Sequence, residues 1–309
     1  MSEPLLACLP EPLRAGAVIT VIASGLSGAG VYRVVANDQV YVLKVAGTDE
    51  SLGAWERRLA LHAAVSEAGL SPAVVHSDPG RRALLSAFVL DRSFPARFAT
   101  PQTRELALVE LADLLRRAHA VPVPPGTPRR LARDEFVATW DLVAEWPIPA
   151  FARHAIERAL AAVPPASGRS PGLSHNDVNP SNLVWDGERV WLLDWESAGV
   201  NDPLYDLAAV SMFLRMDDAT SARLIAAHDR AAPAPLPAAF RHLRRFIAAF
   251  VGSLFLRLAR ANGHLGTVEG SPLTLTEVYL GMREGTLDPR RADGQWRFAL
   301  AMLRTSAEL

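Results

Sequence analysis

The hydrophobic pattern of the chain changes character about a third of the way along. Val18 to Ala23, Val31 to Ala36 and Val40 to Val45 are rich in β-branched residues and separated by Gly or Asn-Asp turns, which predicts three short strands. Residues 51–68 follow as a helix with Leu52, Trp55 and Leu59 on one face, and the apolar stretches 73–75 and 83–89 complete a small sheet. From about residue 100 the period lengthens. Leu108, Leu111 and Leu115 share one face of a helix ending near Pro122, and further helices are predicted near 134–146, 150–163, 203–215, 219–230, 237–262 and 291–306. The Pro-rich stretches 121–128 and 231–237 read as loops. The expected class is α+β, with a β-rich N-terminal lobe over 1–90 and a larger, mainly helical C-terminal lobe over 91–309.

Composition narrows the partners. A formal net charge of −1 gives no general attraction to nucleic acid or to an anionic membrane surface. The longest strongly apolar run, 246–256, has eleven residues and is too short to span a bilayer. The acidic start, Met1-Ser2-Glu3-Pro4, lacks the basic stretch and apolar core of a secretory signal. The single cysteine, Cys8, cannot form an internal disulfide and fits a reducing compartment, so a cytoplasmic protein is expected.

The basic residues are unevenly chosen: 32 in all, of which one, Lys44, is lysine. Arg is a broad planar fork and Lys a compact point charge, so a lone Lys suggests a site where the fork does not fit. Its neighbourhood supports this. Ser24-Gly25-Leu26-Ser27-Gly28-Ala29-Gly30 is a glycine-rich turn flanked by strands on both sides, with Lys44 on the next strand. A dinucleotide-binding or P-loop turn opens a helix instead. Strand, glycine turn and strand followed by a strand lysine is the arrangement of a kinase-type nucleotide clamp.

The second chemical segment is His175-Asn176-Asp177-Val178-Asn179-Pro180-Ser181-Asn182, with Asp194 following. Its Pro, Asn, Asp and Ser content makes it a loop. Leu183 to Trp185 and Val190 to Leu193 are short strands around the turn Asp186-Gly187-Glu188-Arg189, so Trp185 pairs with Val190 and Asn182 falls opposite Leu193. Asp194 then lies beside Asn182. An amide oxygen and a carboxylate meeting there suit Mg²⁺, which takes its other ligands from water and phosphates. Asp177 is available as a third oxygen or as a base.

With these motifs quoted, a resemblance can be stated. The run 175–182, Leu192-Leu193-Asp194-Trp195-Glu196, Asn201-Asp202-Pro203 and Asp206-Leu207-Ala208 resemble the aminoglycoside phosphotransferase and choline kinase superfamily, nearest its bacterial choline kinase branch. The resemblance implies a bilobal, protein-kinase-like fold binding ATP and Mg²⁺. It implies Asp177 as the base that accepts the substrate hydroxyl proton, and Asn182 and Asp194 as Mg²⁺ ligands. Lys44 would contact the α- and β-phosphates, oriented by an ion pair with Glu56 (Glu50 and Glu67 being alternatives), and the backbone of Gly25, Ser27, Gly28 and Gly30 would cover the triphosphate. His175 is read as a loop support, Asp206 as a structural tie, and Ser86 to Val89 as the adenine edge.

The phosphate acceptor is expected to be a hydroxyl on a small molecule, choline or ethanolamine first. Aminoglycosides, thiamine and a non-catalytic nucleotide-binding role are alternatives. A choline-like cation favours aromatic faces and a nearby carboxylate. Trp195 and Tyr205 with Glu196 and Asp202 are the candidates, beside Trp140, Trp146, Tyr279 and Trp296. From residue 201 onward 11 Asp and Glu stand against 13 Arg, which disfavours a polycationic antibiotic. A protein kinase is disfavoured because Asp194-Trp195-Glu196 runs quickly into Pro203 and a helix.

Overall fold

The computed structural model describes residues 3–24, 30–47, 50–270 and 272–309. A short helix α1 (Glu3–Leu6) precedes strands β1 (Val18–Ser24), β2 (Gly30–Ala36) and β3 (Gln39–Val45), then helix α2 (Leu52–Glu67) and strands β4 (Val74–Asp78) and β5 (Ala83–Ala87). The five strands form one antiparallel sheet in the order β1-β2-β3-β5-β4. Asn37 and Asp38, both with positive φ, make the two-residue turn between β2 and β3, the geometry that matches the native strand twist.

Strand alternation divides the two faces of this sheet. Val34, Ala36, Tyr41, Leu43, Ala83 and Leu85 point to one face and pack with Cys8, Leu9, Leu13 and Ala17 from the segment before β1. Lys44, one residue out of phase with Leu43 and Val45, therefore points to the other. There it shares a small cavity with Leu84 and with Trp55, Arg58, Leu59 and His62 of α2. Ser51 starts that helix by accepting from the Ala54 N–H, satisfying one of its orphan donors.

The chain continues through α3 (Phe94–Ala99), α4 (Pro101–His119), α5 (Ala132–Asp141), α6 (Ala150–Ala161), the short strands β6 (Gly172–Ser174), β7 (Leu183–Trp185), β8 (Val190–Leu192) and β9 (Gly199–Asn201), and helices α7 (Leu204–Phe213), α8 (Asp218–Asp229), α9 (Ala238–Ala261), α10 (Leu275–Arg283) and α11 (Ala292–Glu308). The helix α3 and the helix α10, which carries a Thr274–Glu277 capping box, were not anticipated from the hydrophobic period, being only two turns or so long. Among the described residues no helix is long and apolar enough to cross a membrane.

Two compact units emerge. The first comprises Met1–Arg129, Ser170–Asp206 and Arg223–Pro233, and so contains the sheet, α2, α4 and the segment 175–201 together. The second comprises Arg130–Arg169, Leu207–Ala222 and Ala234–Leu309. Its core is formed by α9 and α11 with the rings of Phe136, Phe246 and Phe250, whose centroids lie 5.4–6.3 Å apart. Gly252 is required by the close approach of the two long helices: a Cβ there would stand 2.7 Å from Leu303 Cγ and 3.2 Å from the Ala299 carbonyl.

Candidate active site

The hairpin β7–β8 has the register that the turn residues dictate. Trp185 pairs with Val190, and beyond the ladder the Leu193 N–H donates to the Asn182 carbonyl at 2.8 Å. Asp186 holds the turn by accepting from the N–H groups of Glu188 and Arg189. This places Asp194 immediately after the strand opposite Asn182. Asp194 has φ 62°, a left-handed conformation that a non-glycine residue holds only when its surroundings impose it.

The loop before β7 turns on its own side chains. Asn179 accepts from the Ser181 N–H and donates to Asp177 Oδ1 at 2.9 Å. Asn182 Nδ2 donates to Asp177 O at 2.9 Å and to Oδ2 at 3.1 Å. With that nitrogen committed to Asp177, the atom that Asn182 can offer a cation is Oδ1. Asp177 is half-buried, and burial lifts its carboxyl above the ordinary carboxylate range. The neighbouring Asp194 charge pushes the same way, against the hydrogen bonds from Asn179 and Asn182.

The base of the loop is fixed by buried polar groups. Asp206, fully buried at the start of α7, accepts from the N–H of His175 at 2.7 Å and of Asn176 at 2.8 Å, and bonds His119 Nε2 at 3.0 Å. Burial alone would raise its pKa. The His119 hydrogen bond and charge, with the His175 contributions, outweigh burial and hold Asp206 below the usual carboxylate value. Asn176, at φ 63°, donates to the carbonyls of Ser174 and Ser197 and accepts from Asn201 Nδ2 at 2.7 Å. Gly199 allows β9 to run beside Pro128, whose carbonyl would lie 2.7 Å from a Cβ there.

His175 is a brace. Its Nε2 faces the Leu193 carbonyl at 2.8 Å, which can only accept, and its Nδ1 takes the Asp177 N–H at 3.3 Å, which can only donate. Both ring nitrogens of a neutral imidazole are thereby used. Its ring packs edge-on against Trp195 at 4.8 Å. Asn176, Asn201 and His119 form the supporting shell around the loop. Asn176 and Asn201 were legible only as members of the quoted motifs, and His119 carried no sequence signal beyond its place at a helix end.

Lys44 Nζ bonds Asp194 Oδ1 at 2.9 Å and lies 3.6 Å from Glu196 Oε1. The expected ion pair with Glu56 is not formed: Glu56 is exposed on α2, one position past the buried Trp55, on the solvent side of the helix. Glu50 pairs with Arg58, and Glu67 ends α2.

The acceptor-side expectations also change. Trp195 is completely buried and donates to the Leu192 carbonyl, and Tyr205 is buried at the start of α7, so neither offers a face to a ligand. Glu196 is engaged by Lys44 and Arg58. Asp202 accepts from the Leu204 N–H and caps α7. Trp140 and Tyr279 are each covered by an arginine, Arg153 and Arg215, while Trp146 and Trp296 are buried against each other and His264. At the expected adenine edge, the Ala87 and Phe88 N–H groups already donate to Ala73 and Val40. Gly25, Ser27 and Gly28 lie outside the described residues, and Gly30 is the first residue of β2.

A strand lysine is bonded to the carboxylate after a hairpin, and an amide and a second carboxylate are gathered at the hairpin's open end, a set of groups with the chemistry to meet a cation and phosphate. Residues 18–243 match the family model described as the phosphotransferase enzyme family, and the chain belongs to that family of small-molecule kinases. A 36-residue segment is 44% identical to protein LicA of Haemophilus influenzae (strain ATCC 51907 / DSM 11121 / KW20 / Rd), covering 12% of this chain and only 14% of that protein's length.

Solved structures share the fold over nearly the whole chain. A choline/ethanolamine kinase family protein from Mesorhizobium loti superposes with a TM-score of 0.62 at 20% identity, covering 99% of this chain and 98% of its own. Choline kinase LicA from Streptococcus pneumoniae gives 0.58 at 16% identity, covering 93% of each chain. A macrolide 2′-phosphotransferase, MphH from Brachybacterium faecium, gives 0.57 at 21% identity, covering 81% of this chain and 90% of its own. The fold is thus that of the protein-kinase-like phosphotransferases, with a β-sheet N-terminal region and a helical C-terminal region.

Proposed function

We propose that this chain transfers the γ-phosphoryl group of ATP to the hydroxyl of a small amino alcohol of the choline or ethanolamine type. The observation that carries the phosphotransfer reading is the convergence of Asp177, Asn182 and Asp194 with the chain's single lysine at 2.9 Å from Asp194. Asp177 is the base. Its carboxyl, lifted by burial, is a stronger proton acceptor than an exposed carboxylate. Asn179 and Asn182 each hold one of its two oxygens.

The donor set suits Mg²⁺. Among the described residues no cluster of three His, Cys, Asp or Glu has the spacing to hold a metal. The set here is one amide oxygen and one carboxylate, Asn182 and Asp194, with Asp177 adjacent. Two protein oxygens suffice for a cation that keeps water and phosphate ligands. When bound, Mg²⁺ supplies neutralisation of phosphate charge. Lys44 would supply the remaining positive charge to the nucleotide phosphates as a compact ammonium.

The acceptor class rests on the Asp194-Trp195-Glu196 and Asn201-Asp202-Pro203 motifs and the LicA segment match. The aromatic cage gives it no support, because the candidate rings are buried or covered. The presence of Lys44, Asp177, Asn182 and Asp194 together argues against a non-catalytic nucleotide binder. The deciding experiment is an ATP-consumption screen over choline, ethanolamine, thiamine, homoserine, sugars, macrolides and aminoglycosides. Choline or ethanolamine should give the highest kcat/KM, at least tenfold above the rest. An antibiotic or thiamine ranked first would overturn the acceptor class, and no stimulation by any hydroxyl compound would overturn phosphotransfer.

A further inference from the structure

The face of α2 beside Lys44 carries no carboxylate. Trp55, Arg58, Leu59 and His62 line the cavity that Lys44 and Leu84 complete. His62 is buried with Nε2 lacking any partner. Burial, reinforced by the Lys44 and Arg58 charges, pushes its pKa down to about 3, so the ring stays neutral. The helix therefore presents Lys44 with a guanidinium and an uncharged imidazole. Negative charge reaches the amine from the segment after β8 instead, through Asp194 and Glu196.

Arg58 ties this arrangement together. One guanidinium nitrogen, Nη1, bonds Glu196 Oε1 at 3.0 Å, and the other, Nη2, bonds Glu50 Oε2 at 2.6 Å. Glu196 Oε1 is the same oxygen that stands 3.6 Å from Lys44 Nζ. The side chains of Lys44, Glu196, Arg58 and Glu50 are between 17% and 24% exposed, shielded enough for their mutual attractions to escape most screening by solvent. Asp194 is 43% exposed and is the group assigned to the cation above.

We infer that Arg58 is a positioning residue for Lys44, clamping Glu196 so that this carboxylate does the work of the missing helix glutamate. A cation held at Asp194 would repel the amine and compete for the same carboxylate, which would leave Glu196 as the partner within reach of Lys44. A flexible Glu serves that purpose only if its own orientation is set. The rigid guanidinium fork, fixed at its other nitrogen by Glu50, sets it. This inference rests on the phosphotransfer reading, because Lys44 needs aiming only if it meets phosphate.

The single lysine makes a direct test possible, since ¹³C-lysine labelling of the full chain reports Lys44 alone. With Mg·AMP-PNP as the probe, the wild-type ε-methylene should give one ordered resonance, its geminal protons resolved. Arg58→Ala and Arg58→Gln should collapse it towards free rotation. With the acceptor ranked first in the screen, Arg58→Ala should lower kcat at least tenfold while acceptor KM stays within twofold, and Arg58→Lys should recover at least threefold. Unchanged Lys44 order and kcat within twofold in both Arg58→Ala and Arg58→Gln would overturn the inference. If Mg·AMP-PNP left the wild-type resonance unmoved, the phosphotransfer reading itself would fall. Comparison of free wild type with free Arg58→Gln would then still decide whether Arg58 orders Lys44.

Discussion

The end of the β7–β8 hairpin and the α9–α11 core treat burial in opposite ways. Around the hairpin the chain buries His175, Asn176, Asn182 and Asp206, and holds Asn176 and Asp194 at positive φ, each conformation costing on the order of 1–3 kcal/mol. In the second unit, α9 and α11 bury Phe250, Leu256, Ala299, Met302 and Leu303, and Gly252 admits Leu303 and the Ala299 carbonyl to close contact. The first region is organised by saturating hydrogen bonds and the second by excluding water. A substitution in the first should therefore change turnover more than stability, and a substitution in the second the reverse.

The sharpest attack on that contrast is Asp177→Asn. It keeps the size but removes the base and one of the two hydrogen bonds to the carboxylate, from Asn179 or Asn182, and kcat should fall roughly a thousandfold, about 4 kcal/mol in barrier. Calorimetry with Mg·AMP-PNP should show affinity within a fewfold of wild type, and full activity would refute the assignment. Phe136→Ala is its counterpart in the helical unit. Phe136 is fully buried between Phe246 and Phe250, so its truncation should cost about 3–5 kcal/mol in denaturant unfolding. A loss under 1 kcal/mol would show that the ring cluster is not the core.

Asp206→Asn tests whether the hairpin region also depends on a buried charge for stability, with an expected loss of about 2–3 kcal/mol at neutral pH. Because the folded Asp206 pKa is depressed, the wild-type advantage is present above the unfolded carboxylate value and disappears as pH falls through the folded one. A difference between wild type and variant that did not shrink in acid would exclude the charge as its source. Lys44→Arg should lower kcat/KM about ten- to a hundredfold, about 1.4–2.7 kcal/mol, despite the retained charge. Unchanged kinetics would remove the reason for a single lysine. Glu56→Gln should be the mildest, within about 0.5 kcal/mol in stability and twofold in kcat, since Glu56 faces solvent. A tenfold loss of kcat would restore Glu56 as the lysine's partner.

What could be read from the residues alone was local. The two-residue Asn37-Asp38 turn, the four-residue turn at 186–189 and the resulting Trp185–Val190 pairing follow from backbone preferences and pleat period, and these placed Asn182 opposite Leu193. Period two along β3 likewise set Lys44 on the face opposite Leu43. Which carboxylate Lys44 meets was not legible, because it depends on the rotation of α2 about its axis. Trp55 is drawn into the interior, Glu56 turns outward, and Arg58 and His62 come round to the amine. The acceptor-side aromatics were misread for a related reason. A tryptophan beside an acidic motif has the same sequence whether it faces a ligand or the core, and packing against His175 and a bond to Leu192 decided it for Trp195. Short-range covalent geometry thus determined strands, turns and the order of the chemical groups. The partners those groups take across 30 to 150 residues of chain were decided by how the packed elements shut out water.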